Sequence, residues 1–213
     1  MSESIFLPKK MLSFKTRRLI MDSSELKLYE EGFFTENSIS LQTSEIHDLR
    51  FGIEVIRGLE FNIGREYLIL IKDKNKKVLK ISFSSLYGYQ RIVRDELYIL
   101  LINTIWNKFF DSKFEYFLKK FSQNESFQIG NVLFNTDGIE ILNQSLLTSN
   151  SLKIYWENVQ TEDYISNFTL IDICDVINKN RSFDYLKDWN TLMLKAVVRS
   201  ILSQKGLEHK PLF

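Results

Sequence analysis

The sequence predicts an α+β fold, mainly antiparallel β, built from two units that each run through several strands and close on one C-terminal helix. Three observations predict it. Apolar residues alternate with a period of two through Phe51, Ile53 and Val55 and again through Leu79, Ile81 and Phe83. From Asp95 onward the period lengthens, and Tyr98, Leu101, Ile102, Ile105 and Phe109 fall at helical spacing. The same order, strands and then a helical stripe, recurs between Phe127 and the C-terminus.

Composition bounds what these units can be. The chain has 213 residues, enough for two domains of roughly 100 residues each. Apolar residues make up 44% of it, and most of the 17 Phe and 9 Tyr are expected in the core. Lys and Arg total 28 against 27 Asp and Glu, a balance without the broad basic footprint of a nucleic-acid binder, so no nucleic acid is expected as a partner. The single cysteine, Cys174, excludes an intramolecular disulfide and fits a reducing compartment. The first ten residues lack a long apolar stretch after their basic residues, so no secretory signal is expected. The most apolar stretch, 97–110, is broken by Asn103, Thr104, Asn107 and Lys108. No transmembrane segment is therefore expected, and the cytoplasm is the expected location.

The elements follow in order. Residues 1–22 read as an N-terminal arm or an edge strand. The first unit, 23–121, opens with Leu26-Lys27-Leu28-Tyr29 and an acidic turn, Glu30-Glu31-Gly32, and the strand resumes at Phe33-Phe34. Ile39-Ser40-Leu41 and Phe51 to Val55 alternate, and Gly58 marks a turn. Tyr67-Leu68-Ile69-Leu70-Ile71 is a continuous apolar run, as in a strand buried on both faces. The polar connection Asp73-Lys74-Asn75-Lys76-Lys77 predicts a hairpin into 78–83. Asp95 is the predicted N-cap of the helix. Phe114, Phe117, Leu118 and Phe121 continue the helical spacing, so a single helix over 95–121 would be about 40 Å long, with a kink predicted near Asp111.

The second unit, 122–206, repeats the pattern and leaves 207–213 as a tail. Its predicted strands are Phe127-Gln128-Ile129-Gly130, Val132-Leu133-Phe134, Ile139 with Ile141 after the turn Asn135-Thr136-Asp137-Gly138, 152–156, 168–173 and 182–185. Asp188 is the predicted cap of a closing helix with the stripe Leu194, Val197, Val198 and Ile201, stopped at Lys205-Gly206. The turns at Gly32 and Gly138, each between two strands, suggest a tandem duplication with a period of about 100 residues.

Several antiparallel strands capped by one C-terminal helix resembles the layout of a pleckstrin-homology-like (PH-like) barrel. Ile154-Tyr155-Trp156-Glu157-Asn158-Val159 resembles an aromatic, then W-x-x-I/V step of bacterial PH-like domains. Glu45-Ile46-His47-Asp48-Leu49 is the predicted first-unit counterpart, without the Trp. Phe127-Gln128-Ile129-Gly130 is similar to the lead-in strand of tandem PH-like proteins of bacteria. The resemblance covers roughly residues 25–205 and implies two PH-like barrels or curved sheets, each plugged by its helix. It carries no activity with it, because PH-like barrels serve many binding roles.

Candidate site residues are few. The basic hairpin with Lys72, Lys74, Lys76, Lys77 and Lys80 could gather anionic lipid head groups, or serve as solvated gatekeepers of a sheet edge. Arg91 and Arg94, with Lys108 and Lys113, could add a basic helix face. Phe110, Phe114, Tyr116, Phe117 and Phe121, together with Phe109, exceed what one helix face buries, so some are expected to meet the other unit or a partner chain. His47 and His209 are the only histidines, and His47 reads as an exposed loop residue. Cys174 reads as a small buried hydrophobe. Neither Glu30-Glu31 nor Glu162-Asp163 reads as more than neighbouring turn carboxylates, and Trp106, Trp156 and Trp189 read as structural. No catalytic residue, metal or cofactor is expected. The sequence favours a non-enzymatic adaptor binding a protein or peptide, with an anionic-lipid module as the alternative and an enzyme last.

Overall fold

The computed structural model describes residues 3–8, 15–32, 35–58, 61–142 and 151–207. His209 and the predicted strand resumption at Phe33-Phe34 lie outside these residues. The protein is α+β, with mostly antiparallel sheets, and divides into two compact units, Met1–Phe109 and Phe110–Phe213.

The first unit begins with a four-stranded antiparallel meander, β1 (Glu3–Leu7), β2 (Thr16–Met21), β3 (Glu25–Glu31) and β4 (Glu36–Gln42). β2 is an inner strand, paired with β1 on one side and β3 on the other. A 3-10 turn at Thr43–Glu45 leads into a three-stranded meander, β5 (Ile46–Arg57), β6 (Asn62–Asp73) and β7 (Val78–Leu86). Helix α1 (Arg91–Ile105) follows. Leu19, Met21, Leu26, Ile69, Ile71, Leu79, Ile81, Leu101 and Ile105 form the buried core.

Arg17 ties the two sheets of this unit together. It is 1% exposed on β2, and its Nε donates to Glu30 Oε1 on β3 at 2.8 Å while its Nη1 donates to the Ser82 carbonyl on β7 at 2.6 Å. A cation this deep is tolerable only with such partners.

The second unit repeats the element order. Helix α2 (Asp111–Ser122) precedes a four-stranded meander, β8 (Phe127–Ile129), β9 (Val132–Phe134), β10 (Gly138–Ile141) and β11 (Leu152–Tyr155). A 3-10 turn at Trp156–Asn158 leads to β12 (Val159–Asp163), β13 (Asn167–Asp172) and β14 (Asn180–Asp184), and α3 (Thr191–Gln204) closes the unit. Each unit therefore carries two open sheets, of four and three strands, where one barrel or curved sheet per unit was expected.

The predicted strand through Ile154 and Val159 is two strands broken at Trp156, which opens the 3-10 turn. Its place in the first unit is Thr43, and Ile46 and Val159 both open the fifth strand of their unit. The repeated turn is also not the expected one. Gly32 follows the third strand of its unit, whereas Gly138 begins the third strand of the other. The matching turns are Asp22 to Glu25 and Asn135 to Gly138. Each joins second and third strands and is closed by a backbone bond, Asp22 N–H to the Glu25 carbonyl at 3.0 Å and Asn135 N–H to the Gly138 carbonyl at 2.9 Å. The two glycines meet different needs. A Cβ on Gly138 would collide with the Ile154 carbonyl oxygen, while one on Gly32 would approach only the Thr35 and Lys15 side chains.

Neither helix starts on the predicted aspartate. Gln90 (φ 52°) and Asn190 (φ 63°) precede α1 and α3 in the left-handed conformation. Asp95 instead accepts the Tyr67 hydroxyl at 2.6 Å, and Asp188 accepts the Asp184 backbone N–H at 2.8 Å. The break expected near Asp111 is a π-helical turn over Trp106–Phe110, so 91–122 is not one uniform helix.

Candidate functional site

The lysine hairpin is a tight turn organised by Asp73, whose carbonyl accepts Lys76 N–H at 3.1 Å and whose Oδ1 accepts Lys77 N–H at 2.8 Å. Lys74, Lys76, Lys77 and Lys80 are exposed there. Two of the five predicted lysines are already engaged. Lys72 Nζ lies 2.6 Å from Asp48 Oδ2, and Lys77 Nζ donates to the Ser40 carbonyl at 2.8 Å. His47 is on strand β5, not in a loop, and its exposed ring meets Asp48 Oδ1 at 2.6 Å.

The aromatic set is divided. Phe110 is buried, Phe114 is half-buried and Tyr116 is exposed under Lys120, whose Nζ sits 5.3 Å from its ring centroid. Phe117 stacks on Phe127 at 5.1 Å, and Phe121 meets Trp156 edge-on at 5.5 Å. Both rings thus pack inside the second unit, around an indole whose Nε1 donates to the Asn135 carbonyl at 3.0 Å. Trp106 and Trp189 are half-buried.

Cys174 is exposed, contrary to expectation, because β13 ends at Asp172 and the chain turns there, with Cys174 N–H donating to Asp172 Oδ1. Asp163 is at the end of strand β12, not simply in a turn, and gathers two cations and a phenol. It accepts the Tyr185 hydroxyl at 2.9 Å and a bond from Lys195, with Arg199 Nη1 at 3.6 Å. Burial pushes the Asp163 carboxyl up, but the hydrogen bonds from Lys195 and Tyr185 outweigh it and hold the group below its ordinary value. Burial, then the bond to Asp163, raises the Tyr185 phenol. One group stays ionised and the other protonated at neutral pH, so the cluster fixes charge and is not tuned to exchange protons. Among the described residues, no group of three or more His, Cys, Asp or Glu is placed to hold a metal ion.

A different arrangement emerges on the face of β5–β6–β7 that carries α1. Ile53 lies directly opposite Tyr67, Val55 opposite Arg65, and Tyr67 opposite Phe83, so these side chains share one face. Tyr98 of α1 rests on it, 6.3 Å from Phe51 and 5.4 Å from Tyr67 between ring centroids. Tyr67 and Ile69 on the central strand β6 and Ile81 and Phe83 on β7 are buried, but on the edge strand β5 Ile53 is 39% and Val55 48% exposed. The result is an apolar shelf beside the helix. Burial, then the hydrogen bond to Asp95, pushes the Tyr67 phenol up to about 12.

Two polar atoms at this shelf lack partners among the described residues. The Tyr98 hydroxyl is buried without a hydrogen bond in a side chain only 7% exposed, and burial raises its phenol. Arg94 Nε is likewise buried without a partner, although Nη2 donates to Gln90 Oε1 at 2.9 Å. Tyr98 sits at the level of Phe51. Arg94 precedes Tyr98 by four residues, about one helical turn, so the two share a face of α1. The sequence placed Ile53 and Val55 on one face and Arg94 on a basic helix face, but not together. The available signal was α1 itself, which carries Ile92, Val93, Ile99 and Leu100 outward as well as Tyr98, Leu101 and Ile105 inward.

No helix among the described residues is long and apolar enough to cross a membrane. Comparison with protein-family models finds no match, and none of the curated proteins matches the chain.

Proposed function

We propose that the chain is a non-enzymatic adaptor of the cytoplasm, made of two duplicated PH-like units, that binds a protein or peptide partner. The order four strands, three strands, helix in each unit supports the PH-like reading. The observation that carries the binding role is the outermost strand β5, whose 52–57 segment has one open side and half-exposed apolar residues beside a helix. Such an edge is a template for another chain, and natural proteins blunt it unless it is used. The lysine hairpin supports an anionic-lipid role less well, because Lys72 and Lys77 already hold Asp48 and Ser40.

The test is native co-purification of the full chain, followed by reconstitution with the separately purified partner. A stoichiometric complex supports the adaptor role. Recovery of the chain alone, with salt-sensitive sedimentation on vesicles containing phosphatidylserine, refutes it.

A further inference from the structure

We infer that the open edge of β5 at 52–57 takes an extended segment of the partner as an added strand, with a carboxylate on the face over α1 and a basic residue on the opposite face. This rests on the adaptor reading and names the surface and the chemistry that it uses.

Backbone pairing comes first. β5 lies at the edge of its sheet beside β6, and no strand among the described residues pairs with the outer side of 52–57. An extended segment pairs there without disturbing β6. Its side chains then alternate between two faces of different character.

On the helix face, Ile53 and Val55 offer apolar contact. The Tyr98 hydroxyl and Arg94 Nε offer two buried donors with no acceptor among the described residues. A buried donor without an acceptor is costly, and a carboxylate on this face of the incoming strand would relieve that cost by accepting from these donors. The surrounding charge agrees. Segments 57–65 and 87–94 contain Arg57, Arg65, Arg91 and Arg94 against a single acid, Glu60. Arg91 already faces Asp95 at 3.8 Å, while Arg65 lies opposite Val55 on the shelf face and Arg94 shares a helix face with Tyr98. On the other face, Glu54 lies directly opposite Glu66. Like charges facing across a strand pair repel, and a Lys or Arg on the incoming strand would bridge them. A second copy of β5 would bring another Glu54 to this face, so self-pairing lacks the needed charge.

The test is a random dodecapeptide library displayed on phage and panned against the full chain, its binders then measured as free peptides on three forms of the protein. The expected binders alternate, with Asp or Glu enriched at positions of one parity and Lys or Arg at the other. Val55→Glu, which places an acid on the half-exposed shelf, weakens them at least tenfold. Arg94→Gln weakens the acidic peptides but leaves their Glu-to-Ala versions unchanged, a pattern that loss of folding does not produce. Binders indifferent to both substitutions, no binders at all, or a concentration-dependent dimer abolished by Val55→Glu overturn the inference. A co-purified partner that still binds both variants sinks this assignment while leaving the adaptor role standing; absence of any partner sinks both.

Discussion

Replacing Arg17 with Met removes a side chain that bonds β2 to both β3 and β7. The side chain is fully buried, and its loss leaves the Glu30 carboxylate and the Ser82 carbonyl without the donors now 2.8 and 2.6 Å away. Breaking one side of a buried ion pair costs about 3–5 kcal/mol. Glu30 retains 22% side-chain exposure and can hydrate in part, which places the cost near the lower bound. Met restores most of the apolar volume, so cavity formation adds little. A loss of about 3 kcal/mol corresponds to a change of roughly a hundredfold in the opening equilibrium. Native-state hydrogen exchange of the Leu68, Ile69 and Ile71 amides reads this in the first unit alone, without requiring the whole chain to unfold in one step. Those amides should exchange roughly a hundred times faster in Arg17→Met. Adding Glu30→Gln removes the carboxylate that Arg17 balanced and should recover about 1–2 kcal/mol. A change under threefold in the single variant, or no recovery in the double, would refute the argument that Arg17 fastens the two sheets.

Gly138→Ala puts a methyl into the Ile154 carbonyl and the Tyr155 Cα 2.9 Å away, so β10 must shift against β11. A drop in the second unit's thermal midpoint of about 4–8 °C or more is expected, and an unchanged midpoint contradicts it. The Asp163 carboxyl is held below its unfolded value of about 3.9, so its contribution is full above that pH and is lost as pH falls through the lower folded value. Asp163→Asn should therefore flatten the stability profile below about pH 4, and a steeper acid loss in the variant would contradict the assignment. Changing Lys74, Lys76 and Lys80 together to Glu should leave peptide affinity within about twofold, since the hairpin and the 52–57 edge lie at different ends of β6.

Much of the fold was legible where side-chain period alone decides. Leu79, Ile81 and Phe83 alternate because that face of β7 is buried, and Val197, Val198 and Ile201 mark the buried stripe of α3. What misled was local chemistry with more than one use. Asp95 and Asp188 have the composition of helix caps, yet tertiary partners claim them, and left-handed Gln90 and Asn190 begin the helices. Gly32 and Gly138 look like one repeated turn, but the equivalent of Gly138 is Glu25, whose backbone carbonyl closes the same four-residue turn. Cys174 follows an apolar run, and only the end of β13 at Asp172 turns it to the surface. The shelf escaped because no single segment contains it. Ile53 and Val55 are apolar strand residues of the ordinary kind, and Arg94 and Tyr98 are separated from them by two strands in the chain. Strand register and the Phe51–Tyr98 contact bring Ile53, Val55 and Tyr98 to one face of the sheet, and Arg94 lies one helical turn from Tyr98.

Hydrogen exchange on the full chain, with and without a selected acidic peptide, tests the central claim most directly. If the partner adds a strand to β5, amide protection rises within 52–57 on binding and the 74–77 hairpin is unchanged. Protection that rises at 74–77 while 52–57 stays as exchangeable as in the free protein contradicts the account.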